Sequence, residues 1–115
     1  DNLIDYFSKI DLAITRSGSS ILAELTNANI PFISIPLPSS ADNHQFKNAE
    51  YYQRKNFAFL VEEKNLNSQL LSLIEDIYRD YKILDKLMLN QRQYSDKNVY
   101  NNIDRLLKEM INEKN

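Results

Sequence analysis

Cysteine is absent from the 115 residues, which removes disulfide scaffolds and thiolate metal sites. Tryptophan is absent too, histidine occurs once, and glycine occurs once, far below the usual share of about 7%. No apolar run approaches the ~20 residues that a membrane-spanning helix needs. The first residues lack the basic-then-apolar pattern of a secretory signal. Neither G-x-x-x-x-G-K-[ST] nor G-x-G-x-x-G is present, so the standard nucleotide loops are missing. No carboxylate pair is arranged for glycoside hydrolysis. The lone histidine, His44, has no partners at ligand spacing, so neither a metal nor a cofactor is expected. A formal net charge of −2 gives no pull toward nucleic acid.

What remains is ordinary for a soluble globular chain, with 43% hydrophobic and 26% charged residues. The length fits one small domain or one half of a larger one. Plentiful Asn, Lys and Ile beside scarce glycine fit a bias toward A/T-rich codons. The chain opens on Asp1-Asn2-Leu3-Ile4, already amphipathic and without a starting Met, so it is expected to be a piece of a longer polypeptide.

Hydrophobic periodicity supplies the elements. Leu3, Ile4, Phe7 and Ile10 recur at helical spacing. Leu12 to Thr15 is a short apolar run ending at Arg16-Ser17-Gly18, a buried strand entering a turn. From Ser19 a helix follows, with Ile21, Leu22, Leu25 and Ala28 on one face. Ile30 to Pro36 is a second strand, and Leu37 to Ala41 a loop. Asp42 or Asn43 is the expected N-cap of a helix running to about Lys55. Phe57 to Val61 is a third strand. After Glu63 the chain reads as helices: Leu70, Ile74, Ile77 and Tyr81 make one stripe, continued by Leu84, Leu87 and Met88. Val99, Ile103, Leu106 and Met110 make another in a last helix. The division is therefore βαβαβ over 1–63 and C-terminal helices of the same domain over 64–115. The alternation predicts an α/β fold with a parallel sheet and right-handed crossovers.

Open parallel sheets bind ligands beyond the C-terminal ends of their strands, where helix N-termini point. Two loops satisfy that rule. In Arg16-Ser17-Gly18-Ser19-Ser20, the glycine permits positive φ or close backbone approach. The following helix offers unpaired N–H groups to an anion, and Arg16 and the serines can add contacts. A plain capped helix start, with Ser17 or Ser19 as N-cap, accounts for the same residues. Glu24, one turn on, is either a solvated surface charge or an acceptor for two adjacent hydroxyls, as on a ribose. In the second loop, Gln45, Asn48 and Tyr52 recur at i, i+3 and i+7 as a polar-aromatic face suited to sugar hydroxyls. His44, at the helix start, reads more readily as a hydrogen-bonded structural residue than as a catalyst.

Taken together, D-L-A-I-T-R-S-G-S-S-I-L-A-E-L (11–25), N-I-P-F-I-S-I-P-L-P (29–38) and D-N-H-Q-F-K-N-A (42–49) resemble the C-terminal domain of the MurG family of peptidoglycan N-acetylglucosaminyltransferases. The match in order and spacing spans roughly Tyr6 to Val61, and the helical tail matches in character. The resemblance implies a Rossmann-like domain of a two-domain GT-B enzyme. It implies inverting transfer of N-acetylglucosamine from UDP-N-acetylglucosamine to a lipid-linked muramyl-pentapeptide, lipid I to lipid II, peripherally on the cytoplasmic face of the membrane. Carried over by position, donor-binding residues would be Arg16, Gly18, Ser19, Ser20, Ile21, Glu24, His44 and Gln45. Glu24 would grip the ribose, and Gln45 with His44 the sugar. The family often has Gln at the position of His44. It usually has glycine where this chain has Asn29 and Asn56, helix-ending positions at which Asn is the next-best left-handed residue. The acceptor site and catalytic base belong to the family's other domain, so no catalytic residue is expected in this fragment. Alone it should be inert, bind donor weakly or not at all, and be marginally stable. Another GT-B UDP-sugar transferase, or a non-catalytic α/β subunit of a split transferase, are alternatives that the residues leave open.

Overall fold

The computed structural model describes residues 12–113. The helix expected over Leu3 to Ile10 lies outside the described residues. Three parallel strands, β1 (Ala13–Thr15), β2 (Phe32–Ser34) and β3 (Ala58–Leu60), lie in the order β1-β2-β3. Ala13, Phe32 and Ala58 share one register row, and Ile14, Ile33 and Phe59 the next. Helix α1 (Ser19–Asn27) joins β1 to β2, and α2 (His44–Arg54) joins β2 to β3. Two short turns over 63–70 then lead to α3 (Leu71–Arg79) and α4 (Lys82–Glu113).

Side chains alternate between the two faces of a strand, and that alternation sorts the core. Phe32, with Ala13 and Ala58 in its row, packs against Leu22 and Leu25 of α1 and Tyr52 of α2. Ile33 and Phe59 face the other way and meet Ile77 of α3 and Leu84 and Leu87 of α4. The two connecting helices therefore cover one face, and the C-terminal helices cover the other. This is the expected α/β arrangement with a parallel sheet.

Several local expectations shift. The strands are three residues each, shorter than the apolar runs that contain them. The buried stripe of α1 is Leu22 and Thr26; Thr26 satisfies its hydroxyl on the Leu22 carbonyl at 2.8 Å, while Ile21 and Ala28 are exposed. In the tail, Ile77 is buried but Ile74 is exposed. Residues 66–70 wind as a wide π-type turn and the helix 71–79 ends at Asp80 (φ −141°, ψ 79°), so Leu70 and Tyr81 do not share one 3.6-residue period with Ile74 and Ile77. The last two stripes lie on one unbroken 32-residue helix, α4. Its inner part is buried at Leu84 and Leu87, whereas Ile103, Leu106 and Met110 are about half exposed.

Each connecting helix must stop within two residues and turn back into a strand. Asn29 (φ 62°) and Asn56 (φ 59°) take the left-handed conformation expected of them. After α1, Ile30 N donates to Leu25 O at 3.0 Å and Asn29 N to Thr26 O at 3.1 Å. After α2, Phe57 N donates to Tyr52 O at 3.1 Å and Asn56 N to Gln53 O at 3.0 Å. Both helices thus end in the same Schellman pattern, with Asn performing the glycine task. The two exits are tied together by Gln91 of α4. It is fully buried, and its Nε2 donates to Ile30 O (2.8 Å) and to Phe57 O (3.0 Å). Beside it, Asn90 Nδ2 donates to Asn56 O at 3.0 Å. An aromatic run from Phe32 through Tyr52 and Phe57 to Tyr94 packs at the same end, with centroids 5.0–6.4 Å apart.

Two stability predictions follow from these contacts. Asn56→Gly should raise the unfolding free energy by roughly 0.5–1 kcal/mol and Asn56→Ala should lower it by about 1 kcal/mol, read from denaturant or thermal midpoints. Equal midpoints for Gly and Ala would deny that the left-handed backbone sets the cost. Gln91→Leu leaves two inward-facing carbonyls without their donor and should cost at least about 2 kcal/mol. A neutral Leu variant would show that the bridge holds nothing.

Candidate functional site

Parallel strands joined by helices on one face bring the starts of α1 and α2 to the same edge of the sheet, beyond the C-terminal ends of β1 and β2. At the first loop the N-cap of α1 is Gly18, and no side chain caps the helix. Neither Ser17 nor Ser19 takes the capping role considered for it. The first-turn N–H groups, which have no intrahelical acceptor, are left without a side-chain partner. Gly18 is in ordinary extended backbone (φ −63°, ψ 140°), so the positive φ open to a glycine is not used. A Cβ added there would meet only Ile21 Cγ2, at an unstrained 3.7 Å. Within the described residues, neither backbone nor packing demands glycine.

Ser19, Ser20, Ile21 and Glu24 line the exposed start of α1, and Ser20 Oγ donates to Glu24 Oε1 at 3.3 Å. Arg16 goes elsewhere. Its Nη2 donates to Glu63 Oε1 at 2.8 Å, and its Nη1 makes a long contact of 3.5 Å with Ile35 O. The guanidinium therefore lies across the ends of β2 and β3, held in an exposed ion pair of the kind worth at most about 1 kcal/mol.

At the second loop, Asn43 occupies the N-cap position of α2, yet its backbone is left-handed and its side chain makes no capping bond. Ser40 caps instead, its Oγ accepting from Gln45 N at 3.1 Å. Asp42 (φ 52°) and Asn43 (φ 56°) form two successive left-handed residues, each costing on the order of 1–2 kcal/mol. Such strain beside a binding edge is a recognised mark of functional loops. Its signal in the sequence was the Asp-Asn pair, the residue types that tolerate this conformation best.

Gln45 connects the loops. Its Oε1 accepts from Leu37 N at 2.8 Å and from Ser17 N at 3.2 Å. Asn48 Nδ2 donates to Ser17 O at 2.8 Å. His44 is exposed at the first position of α2. Tyr52, grouped with Gln45 and Asn48 by spacing, belongs to the aromatic core instead. Burial pushes its hydroxyl pKa above the usual tyrosine value, and Tyr94 adds to the shift. So Gly18, Ser19, Ser20, Ile21, Glu24, His44 and Gln45 share one edge, while Arg16 stands to the side with Glu63. A small cleft of about 150 Å³ lies at the second loop, bounded by Leu37, Pro38, Phe46, Glu63 and Lys64, and none of the predicted donor-binding residues lines it. That is below the roughly 300 Å³ at which small-molecule pockets begin. Among the described residues no group of three His, Cys, Asp or Glu could hold a metal ion, and no helix is long and apolar enough to cross a membrane.

Comparison with known proteins bears on this edge. Residues 1–106 match the family model described as glycosyltransferase family 28 C-terminal domain. The chain is 36% identical, over 98% of its length, to a protein of Pelagibacter ubique (strain HTCC1062). That protein is named UDP-N-acetylglucosamine--N-acetylmuramyl-(pentapeptide) pyrophosphoryl-undecaprenol N-acetylglucosamine transferase. Proteins of the same name from Rickettsia massiliae (strain Mtu5) and Desulfotalea psychrophila (strain LSv54 / DSM 12343) are 36% and 34% identical over 93% and 92% of the chain. These matches cover 32%, 30% and 29% of the three relatives, so the chain spans about a third of the length of the curated relatives it matches. By fold, by the family match and by these likenesses, the chain belongs to the glycosyltransferase family 28 C-terminal domains.

Proposed function

We propose that this chain is the donor-holding part of an enzyme that moves N-acetylglucosamine from UDP-N-acetylglucosamine to a lipid-linked muramyl-pentapeptide in peptidoglycan synthesis. The observation that carries the reading is the convergence of two helix starts on one polar edge, tied by Gln45. The names of the relatives supply the sugar nucleotide and the acceptor. Each part of such a donor has a chemically suitable partner. Glu24, its carboxylate steadied by Ser20, accepts from the two ribose hydroxyls. The uncapped first turn of α1, with Ser19 and Ser20, faces the diphosphate. Ile21 flanks that turn. Gln45, assisted by His44, reads hydroxyls of the sugar, and Arg16 adds positive charge at the rim.

In an inverting transfer the acceptor hydroxyl oxygen bonds to the anomeric carbon and gives up its proton to a base. The bond from that carbon to the diphosphate oxygen breaks, and UDP leaves with the electron pair. The start of α1 favours the charge that develops on the leaving group. The acceptor, the base and a peripheral hold on the inner membrane face are contributions of segments beyond this chain.

Gly18→Ala tests the reading on the full-length protein. Because φ and the surroundings accept a methyl group, its melting temperature should equal or slightly exceed that of the unaltered protein, by up to about 1 kcal/mol of stability. Its affinity for UDP-N-acetylglucosamine, by calorimetric titration, should fall about tenfold or more. Unchanged affinity would remove the ligand from this turn. Glu24→Ala should weaken UDP and UDP-N-acetylglucosamine in the same proportion, about tenfold or more from loss of charge-assisted bonds. A loss confined to the sugar nucleotide would take Glu24 off the ribose.

A further inference from the structure

Ser17, in the first loop, is 1% exposed. Its peptide is held from both sides by one helix: Gln45 Oε1 takes its N–H at 3.2 Å, and Asn48 Nδ2 gives to its carbonyl at 2.8 Å. The two side chains stand three residues apart on α2, so they present adjacent groups along one helix face. Ser17's own hydroxyl has no partner among the described residues, so the side chain of Ser17 does not hold the turn. Gly18, which follows, brings no conformational restraint of its own. The position of the α1 start therefore depends on α2, through two amides. The Gln45 oxygen also takes Leu37 N, filling both of its lone-pair positions. No hydrogen bond from its Nε2 to another described residue accompanies these two, which leaves that group available as a donor only.

We infer that Gln45 and Asn48 form a positioning clasp: Asn48 acts on the donor through Ser17, and Gln45 both completes the clasp and offers two N–H donors. The inference rests on the donor-binding reading above for its functional half, whereas the clasp itself is a property of the fold. Its consequence is that the two loops move as one body, so the spacing between the diphosphate end and the sugar end of the site is preset before a ligand arrives. Preset groups lose less freedom on binding. Asn48 thus gains a role through backbone geometry.

The test uses the full-length protein and two variants of Asn48. Asn48→Asp keeps the shape of the side chain but sets an acceptor against the Ser17 carbonyl, and Asn48→Ala removes the donor without adding charge. Hydrogen exchange of the 13–22 and 35–43 segments should speed up about tenfold in Asn48→Ala and more in Asn48→Asp, the scale of one lost hydrogen bond. The donor KM should rise by a similar factor, with kcat changed less than about threefold and exchange in β2 and β3 preserved. Gln45→Glu, which can still accept from both N–H groups, should keep slow exchange while donor affinity drops. Unchanged exchange in both Asn48 variants overturns the clasp. Faster exchange with an unchanged donor KM overturns the positioning role and leaves Asn48 structural. Should the unaltered protein show no affinity for UDP-N-acetylglucosamine, the donor reading fails, and the exchange rates alone then decide the clasp.

Discussion

One side-chain oxygen joins what the chain keeps 20 residues apart. The Oε1 atom of Gln45 accepts from the N–H of Ser17 and the N–H of Leu37, each in a loop that leaves the end of a different strand. Without it the Asn48 bond to the Ser17 carbonyl would be left to tie the starts of α1 and α2 by itself. With it they form one surface, and the distance between them is fixed by an amide rather than by loop packing. Backbone N–H groups at such an edge need partners. A side chain that satisfies two of them trades loop freedom for a defined spacing, which is what a long, extended ligand requires.

The opposite end of the sheet solves a matching problem with a matching device. There the helix ends must reverse into strands, and the carbonyls of Ile30 and Phe57 would face inward unpaired. Gln91 supplies both with hydrogens from one buried amide, while Asn29 and Asn56 absorb the left-handed turns. Two glutamines, one at each end of the helices, thus link the backbone that flanks three very short strands. The core between them is modest, which makes these polar pins weigh more than they would in a larger sheet.

The pattern of apolar residues was sufficient to read the β-α-β-α-β order and the parallel sheet. Asn29 and Asn56 were legible because a left-handed position after a helix has a short list of tolerated residues. Gln91 was not. On a long amphipathic helix a lone glutamine looks like surface, and only the meeting of α4 with two strand entries gives it a reason to be buried. Ser40 was missed as the cap of α2 for a related reason: the Asp42-Asn43 backbone turns left-handed, so the capping oxygen comes from farther back than spacing suggests. Tyr52 was read with Gln45 and Asn48 because a helical repeat of seven does not distinguish the end of a face that meets the site from the end that meets the core. Arg16 followed the charge of Glu63, a partner 47 residues away that no local pattern reveals.

The claim on which all of this turns is that the two helix starts form a single donor surface. Amide chemical-shift mapping on the labelled full-length protein, titrated with UDP-N-acetylglucosamine, addresses it directly. Shifts are expected together at residues 17–24 and 37–48, with a common binding curve, while residues 27–31 and 54–57 at the far end stay still. Shifts confined to one loop, two curves with different midpoints, or changes centred on the Gln91 end would contradict it.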